Sequence, residues 1–459
     1  MSGEVSMPGA APFATAREAI DWIVRFMPVT GIKLGLERME LLMERLDNPH
    51  RRLKFIHVAG TNGKGSVCAY LSETIRQCGY EVGTFTSPYI ETYTERIRMN
   101  GVNISEEDLL HVVNKIKPIV DEVSELHGQP TMFEISTVMA IEYFARVAYP
   151  DFVVWETGLG GTLDATTIVT PIVSIITNIG HDHMDLLGES IAEIAAHKAG
   201  IIKAGVPVVT AVTDPEALAV IEAAAQRKQS KLYKLGAEYR VELVSAREDE
   251  QAFHFDGLFR RIDDVTIRMN GEHQVHNAAA AIMAIEVLRQ YYALIVDDEA
   301  LYKGMRETSW PGRMELVSRE PRLLLDGAHN PEGAAALAAT LKSTYTYNKL
   351  HFMMGMVTNK NHSGYLRHIL PIVDTLIVTE PDWLKKAAAS ALADMAKELA
   401  HELGRGQVEI IIEPDWKAAL ERLTSLTAQD DLAVVSGSLY VIGDVRSWVK
   451  HQSDSEKGW

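Results

Sequence analysis

Hydrophobic positions recur at helical spacing over residues 14–27 and 35–46, where Leu36, Met39, Leu42, Met43 and Leu46 share one face and predict a core-facing helix. An apolar run from Leu53 to Ala59 reads as a buried strand, and the amphipathic run from Ser66 to Cys78 predicts a helix that stops at Gly79. GYEVGTFTSPY predicts a short strand ending in Thr86, Ser87 and Pro88. Residues 105–128 and 131–148 carry helical periodicity and lead into two buried strands, Phe152 to Trp155 and Ile172 to Thr177, followed by the helix IAEIAAHKAGIIK. From Leu232 to Met269 the period falls to two, as in YRVELVSA and QAFHFDG, which predicts antiparallel ribbons appended to a parallel sheet. An alanine-rich helix, Asn277 to Leu288, packs back, with Asn277 as a polar group at its N-terminus. Beyond WPGR, Trp310 to Arg313, strands at Arg322–Leu325, Leu350–Met354, Thr375–Val378, Val408–Ile412 and Leu432–Val435 alternate with helices and predict a doubly wound, Rossmann-like domain. The polar tail HQSDSEKGW reads as disordered.

A length of 459 residues exceeds one core, and WPGR reads as the connector between residues 1–308 and 309–459. At 47% hydrophobic and 23% charged, the composition is that of a globular protein. No apolar run reaches the length of a membrane span, and the N-terminus lacks a basic segment followed by an apolar core, so the expected location is cytoplasmic. The two cysteines, Cys68 and Cys78, lie ten apart on one predicted helix and read as small core residues in a reducing compartment. A net charge of −17 repels nucleic acid and anionic membranes, which excludes both as expected partners. An anionic small substrate then needs locally placed cations, metal or helix starts.

One stretch supplies them. HVAGTNGKGSV, His57 to Val67, stands between a predicted strand and a predicted helix. Gly60, Gly63 and Gly65 let backbone NH groups approach an anion, the helix start adds a favourable field, Lys64 adds a charge, and Ser66 a hydroxyl suited to a hard cation. The Walker pattern G-x-x-x-x-G-K-[ST] is not met, because its first glycine falls on Val58 and Gly65 follows the lysine. The flanking strand and helix still favour a phosphate loop over a flexible glycine loop with an incidental lysine. Near it, hydroxyls at Thr86 and Ser87 and the acid Glu156 end two strands, where ligands of parallel sheets collect. NIGHDHMDLLG crowds His181, Asp182, His183 and Asp185 after a third strand. Asp326 and His329, in DGAHNP, end the first strand of the second domain. Lys198 alone reads as an exposed lysine favouring a helix C-terminus. On these residues a P-loop kinase explains the first domain but gives the second no role, and a metal hydrolase built on His181 and His183 leaves the phosphate loop unexplained.

GLERM (35–39), HVAGTNGKGS (57–66), GTFTSP (83–88), TERI (94–97), ETGLGG with LDAT (156–166), TNIGHDHMDLLG (177–188), KAGI (198–201), WPGR (310–313), LDGAHNP (325–331) and SGSLY (436–440) fall in one order along the chain. In that order they resemble the folylpolyglutamate synthases of the Mur ligase superfamily, which include bifunctional dihydrofolate synthases. The resemblance implies an N-terminal P-loop ATPase-like sheet domain that binds ATP and folate, and a C-terminal Rossmann-like domain on the glutamate side. It implies that ATP phosphorylates a folate carboxylate and that the amino group of L-glutamate attacks the acyl phosphate, with dihydropteroate as a further acceptor. A Mur-like ligase using another amino acid is the alternative.

By the family pattern, Gly60, Thr61, Asn62, Gly63, Lys64, Gly65 and Ser66 hold the phosphates, and Asn277, Arg313, Asp326 and His329 serve the ATP side. Ser87, Glu156, His183 and Lys198 as a carbamate ligate magnesium, with Lys64, Lys198 and His183 as the catalytic set. Ligand softness alone assigns an imidazole to zinc first, so the assignment to Mg²⁺, in two sites, comes from the resemblance. A monovalent cation is a further candidate. Folate lies against Gly31, Ile32, Lys33, Leu34, Thr131, Met132, Phe133, Glu134, Leu163, Asp164 and Ala165, and the enzyme is expected to be a monomer. The chain departs from the pattern at Thr162, Thr167 and His197, where arginine, asparagine and glutamate are usual.

Overall fold

The computed structural model describes residues 12–27 and 35–456. Eight strands form the first sheet: β1 (Phe55–Ala59), β2 (Val82–Phe85), β3 (Ile97–Met99), β4 (Val102–Asn103), β5 (Phe152–Glu156), β6 (Val173–Ile176), β7 (Val208–Thr210) and β8 (Leu232–Lys234). Their spatial order is β4-β3-β2-β5-β1-β6-β7-β8, parallel except for the β3 and β4 edge. Central β1, β5 and β6 are buried throughout, as continuous apolar runs covered on both faces must be. One face packs against the helices Lys64–Gln77 and Glu272–Tyr292, the other against Glu37–Arg45, Glu106–His127 and Met132–Tyr143. Val58 pairs with Glu156 and Ala59 with Ile176, so the loop after β1 emerges between the carboxyl ends of β5 and β6. That crevice is where an open parallel sheet binds ligands.

The period-two region is a three-stranded antiparallel sheet, β9 (Tyr239–Ala246), β10 (Gln251–Gly257) and β11 (Arg261–Ile267), in the order β11-β10-β9. Leu232–Lys234, expected in the ribbon, instead pairs in parallel with β7 as the last strand of the main sheet. A third sheet holds β12 (Glu315–Arg319), β13 (Arg322–Leu325), β14 (Leu350–Met354), β15 (Thr375–Val378), β16 (Glu409–Ile412) and β17 (Leu432–Ser436), ordered β12-β13-β17-β14-β15-β16. Five of its strands match the expected ones. The sequence reading did not foresee β12, a half-exposed edge strand that pairs antiparallel with β13.

Three further expectations change. The helix starts at Glu272, so Asn277 sits in its second turn and not at its N-terminus. The helix Ile191–Lys198 ends on Lys198, and the lysine is buried, not exposed. The tail is folded back as far as Glu456, whose carboxylate accepts the Tyr93 N–H at 2.7 Å and whose N–H donates to the Glu91 carbonyl at 2.7 Å; Ser455 donates to Asp444 at 2.6 Å. A polar stretch reads as disordered only until partners elsewhere in the fold complete its hydrogen bonds. Among the described residues no helix is long and apolar enough to cross a membrane.

Candidate active site

Gly63 takes the left-handed φ of +81° and caps the helix Lys64–Gln77, a conformation strained for any residue with a Cβ. Gly65 lets the Trp310 ring approach, since a Cβ there would stand 2.8 Å from its indole nitrogen. The connector thus packs directly on the phosphate loop. The Thr61 N–H donates to the Asn178 carbonyl at 3.0 Å, and the Asn62 N–H to the Asn178 side chain at 2.7 Å, tying the loop to the end of β6. Lys64 Nζ donates to the Gly60 and Thr61 carbonyls at 3.0 and 3.2 Å. Lys198 Nζ reaches the same Gly60 carbonyl at 2.8 Å, so two amines converge on one oxygen. Burial first, then Lys64, lowers the Lys198 pKa to about 7.

The loop faces a cavity of about 470 Å³ lined from both sides of the connector. Gly60 to Gly65, Ser87, Glu156, His183, Lys198, Arg313 and His329 open on it, as do Thr131 to Glu134 and Leu163 to Ala165. Ser66, Asn277 and Asp326 do not. Ser66 Oγ accepts from Gln274 at 3.1 Å, and Asn277 donates to Gln274 at 3.1 Å while lying against Gly63. Asp326 is buried and accepts the Met314 and Ala328 N–H groups at 3.1 and 3.0 Å, holding its own loop. Gly31 to Leu34 lie outside the described residues.

Glu156 accepts the Ser87 N–H at 2.9 Å, and burial pushes its pKa up to about 7. His183 has a left-handed φ of +52°; burial lowers its pKa to about 4, against the opposing pull of Asp182. Among the described residues no three His, Cys, Asp or Glu side chains form a metal cluster. The cavity lining nevertheless includes the buried Glu156 carboxylate and the Ser87 hydroxyl, oxygen donors that fit Mg²⁺ when substrate oxygens and water complete the shell, with the softer His183 imidazole beside them on the same lining.

The second domain enters through the Asp182 loop. Lys360 Nζ meets Asp182 at 2.6 Å and His329 Nε2 stands 3.4 Å from it; the His181 N–H donates to Glu332 at 2.9 Å, and Asn62 exchanges hydrogen bonds with Asn330 at 3.1 and 3.2 Å. Sequence reading missed Lys360, which stands in a loop without a motif.

On the opposite wall Phe133 lies across Gly158. Glu134 lines the cavity, yet its carboxylate is occupied by the buried Arg38 guanidinium at 3.0–3.2 Å and by the Thr131 N–H at 2.6 Å. It is therefore a strut more than a free ligand contact. Glu134→Ala is expected to destabilise the fold by about 3 kcal/mol by leaving a buried guanidinium short of its carboxylate, while Arg38→Met with Glu134→Met recovers much of the loss. Denaturant unfolding of the cycle decides this, and a double variant no better than Glu134→Ala contradicts it. Thr162 and Thr167 donate to the His197 and Gly161 carbonyls, so these two departures from the family pattern tie loop to helix and do not line the cavity.

A phosphate loop and a second α/β domain meeting over one cleft define a Mur ligase. Residues 58–285 match the Mur ligase middle domain, and residues 312–439 the Mur ligase glutamate ligase domain. The dihydrofolate synthase/folylpolyglutamate synthase of Bacillus subtilis is 38% identical over 439 residues, covering 95% of this chain and 100% of that protein. The Mycobacterium tuberculosis folylpolyglutamate synthase complexed with ADP has a TM-score of 0.88 at 29% identity, covering 96% of this chain and 100% of that one. Escherichia coli FolC in complex with DHPP and ADP has a TM-score of 0.84 at 26% identity, covering 96% and 98%. The chain belongs to the dihydrofolate synthase/folylpolyglutamate synthase family, and it is a ligase.

Proposed function

We propose that this ligase joins L-glutamate to the terminal carboxylate of a pterin-bearing substrate, with ATP converted to ADP and phosphate. Folate polyglutamylation is the main reaction and dihydropteroate glutamylation the second. The observation that carries the reading is the cavity on which the phosphate loop, an apolar wall of Phe133, Leu163 and Ala165, the cations Arg313 and Lys360, and the His329 imidazole all open. Relatives captured with ADP, and with DHPP and ADP, support a nucleotide and a second ligand in the same cleft.

A carboxylate is a poor electrophile, and phosphorylation gives it a leaving group. Loop N–H groups at the helix start, Gly63 to Gly65, and the Lys64 ammonium hold the γ-phosphoryl in line with the acceptor oxygen. Ser87, Glu156, His183 and a carbamylated Lys198 would hold magnesium, which would neutralise charge on the polyphosphate. Phe133, Leu163, Asp164 and Ala165 seat the pterin. Arg313 and His329, with Asp326 and Asn277 as loop supports, complete the nucleotide side when residues 309–459 close on residues 1–308. Closure over the acyl phosphate excludes water, which would otherwise compete with the glutamate amine.

ADP should form rapidly only when acceptor and glutamate are both present. A panel of dihydropteroate, tetrahydrofolate and methylenetetrahydrofolate is expected to give glutamylated product from each. Product from the folates but none from dihydropteroate restricts the enzyme to polyglutamylation, and ADP release that ignores the acceptor overturns the reading.

A further inference from the structure

The motif TERI places Arg96 at the end of a short turn, Tyr93–Arg96, directly before β3. Its carbonyl accepts the Thr86 N–H at 3.0 Å, which holds it beside the end of β2, where Ser87 stands. The side chain is 3% exposed and lines the central cavity. Its guanidinium lies over the rings of Tyr89 and Tyr93, 5.2 and 5.6 Å from their centroids. Tyr93 is fixed in turn by a hydrogen bond of 2.6 Å between its hydroxyl and Ser136.

Several buried or half-buried arginines have carboxylates: Arg38 has Glu134, Arg98 has Glu95, Arg260 has Glu286, and Arg446 has Glu91 and Glu315, whereas the half-buried Arg313 and Arg405 donate to the Gly312 and Val373 carbonyls. Arg96 forms no ion pair at contact distance among the described residues; its buried Nε lacks a hydrogen-bond partner, and the carboxylate whose charge acts on it is Glu156, which lines the same cavity. Burial accordingly lowers its pKa. A charge withdrawn from water without a partner is costly and persists where a ligand completes it. Tyr89 and Tyr93 flank the guanidinium without supplying an acceptor for its Nε, and a guanidinium edge that meets the cavity matches a carboxylate with two parallel hydrogen bonds.

We propose that Arg96 grips a substrate carboxylate in the central cavity. The proposal rests on the reading that the cavity takes carboxylate substrates. Two sources share this chemistry: the acceptor carboxylate of the pterin-bearing substrate, and L-glutamate. The place of Arg96 beside Ser87, on the phosphate-loop side of the cleft, favours the acceptor.

Arg96→Met keeps the length and the contact with the tyrosines but removes the charge and the fork, whereas Arg96→Lys keeps only the charge. With tetrahydrofolate, L-glutamate and ATP, Arg96→Met is expected to raise the KM for tetrahydrofolate about 100-fold and to leave the KM for ATP within about threefold. Arg96→Lys recovers part of the loss. The Tm of Arg96→Met is expected to equal or exceed that of the parent, because an unpaired buried charge is gone. A rise in the KM for glutamate instead assigns the same grip to the amino acid. If neither KM moves while Tm and kcat fall together, Arg96 is a structural cation against two tyrosines and the proposal is overturned. A parent enzyme that turns over no pterin substrate sinks the functional reading and Arg96 with it; an active parent with both KM values unmoved sinks Arg96 alone.

Discussion

Lys64→Ala is expected to lower kcat/KM by roughly 100-fold or more and to leave Tm close to that of the parent. The lysine opens each helix-side hydrogen bond of the loop, donating to the Gly60 and Thr61 carbonyls, yet it belongs to no apolar cluster. Its removal therefore creates no cavity in the core, and the loop keeps its ties to Asn178. What would disappear is the positive charge proposed to act on the transferred phosphoryl, a contribution expected to grow as charge develops in the transition state. Lys64→Arg should restore little, since a planar fork does not fit where one ammonium bonds two carbonyls. Steady-state kinetics with unfolding curves on the same preparations separate the cases. Near-normal turnover in Lys64→Ala would show that the loop does not handle phosphate.

Lys198→Ala is expected to lose on the order of 10²- to 10³-fold in kcat/KM, and Lys198→Arg to remain equally poor. Lys198 is buried at the end of its helix and shares the Gly60 carbonyl with Lys64. Two ammonium groups on one oxygen repel, and a divalent cation at Glu156 and His183 would add to that repulsion. Both effects favour the neutral amine. The neutral amine is expected to add carbon dioxide with loss of one proton, which would give a carbamate whose two oxygens bear one negative charge. A repelled cation would thereby become a hard oxygen donor suited to magnesium, a change arginine cannot make. Enzyme equilibrated with ¹³C-bicarbonate, magnesium and nucleotide should show a carbamate resonance that Lys198→Ala lacks. An unmodified amine under those conditions, in an active enzyme, would refute the carbamate while leaving the lysine as a simple cation.

The positions of the main strands and the phosphate loop were legible in the sequence because their signals are local. A buried parallel strand is a continuous apolar run, and a glycine loop before an amphipathic helix declares itself within about ten residues. β1, β5, β6 and five strands of the third sheet lie where periodicity places them. Ser87, Glu156, His183 and Lys198 reach one cavity because each follows a strand or helix end that the topology gathers at one edge.

Tertiary structure alone decided the rest. β12 is half-exposed and has no strong period, so only pairing with β13 makes it a strand. The tail looks unstructured until Glu91, Tyr93 and Asp444 supply its partners. Glu134 reads as a polar group near a pocket, and only Arg38, 96 residues earlier, turns it into a strut. Lys360 has no motif and acquires meaning at 2.6 Å from Asp182, across 178 residues of chain. Arg96 is the reverse case: TERI was visible, but that no carboxylate among the described residues forms an ion pair with its guanidinium is a property of the folded interior, where Glu95 turns to Arg98. Sequence determines which chemistry each segment can carry, because backbone and side-chain preferences act over a few residues. Which groups are paired, and which are left waiting for a ligand, depends on contacts between segments far apart in the chain.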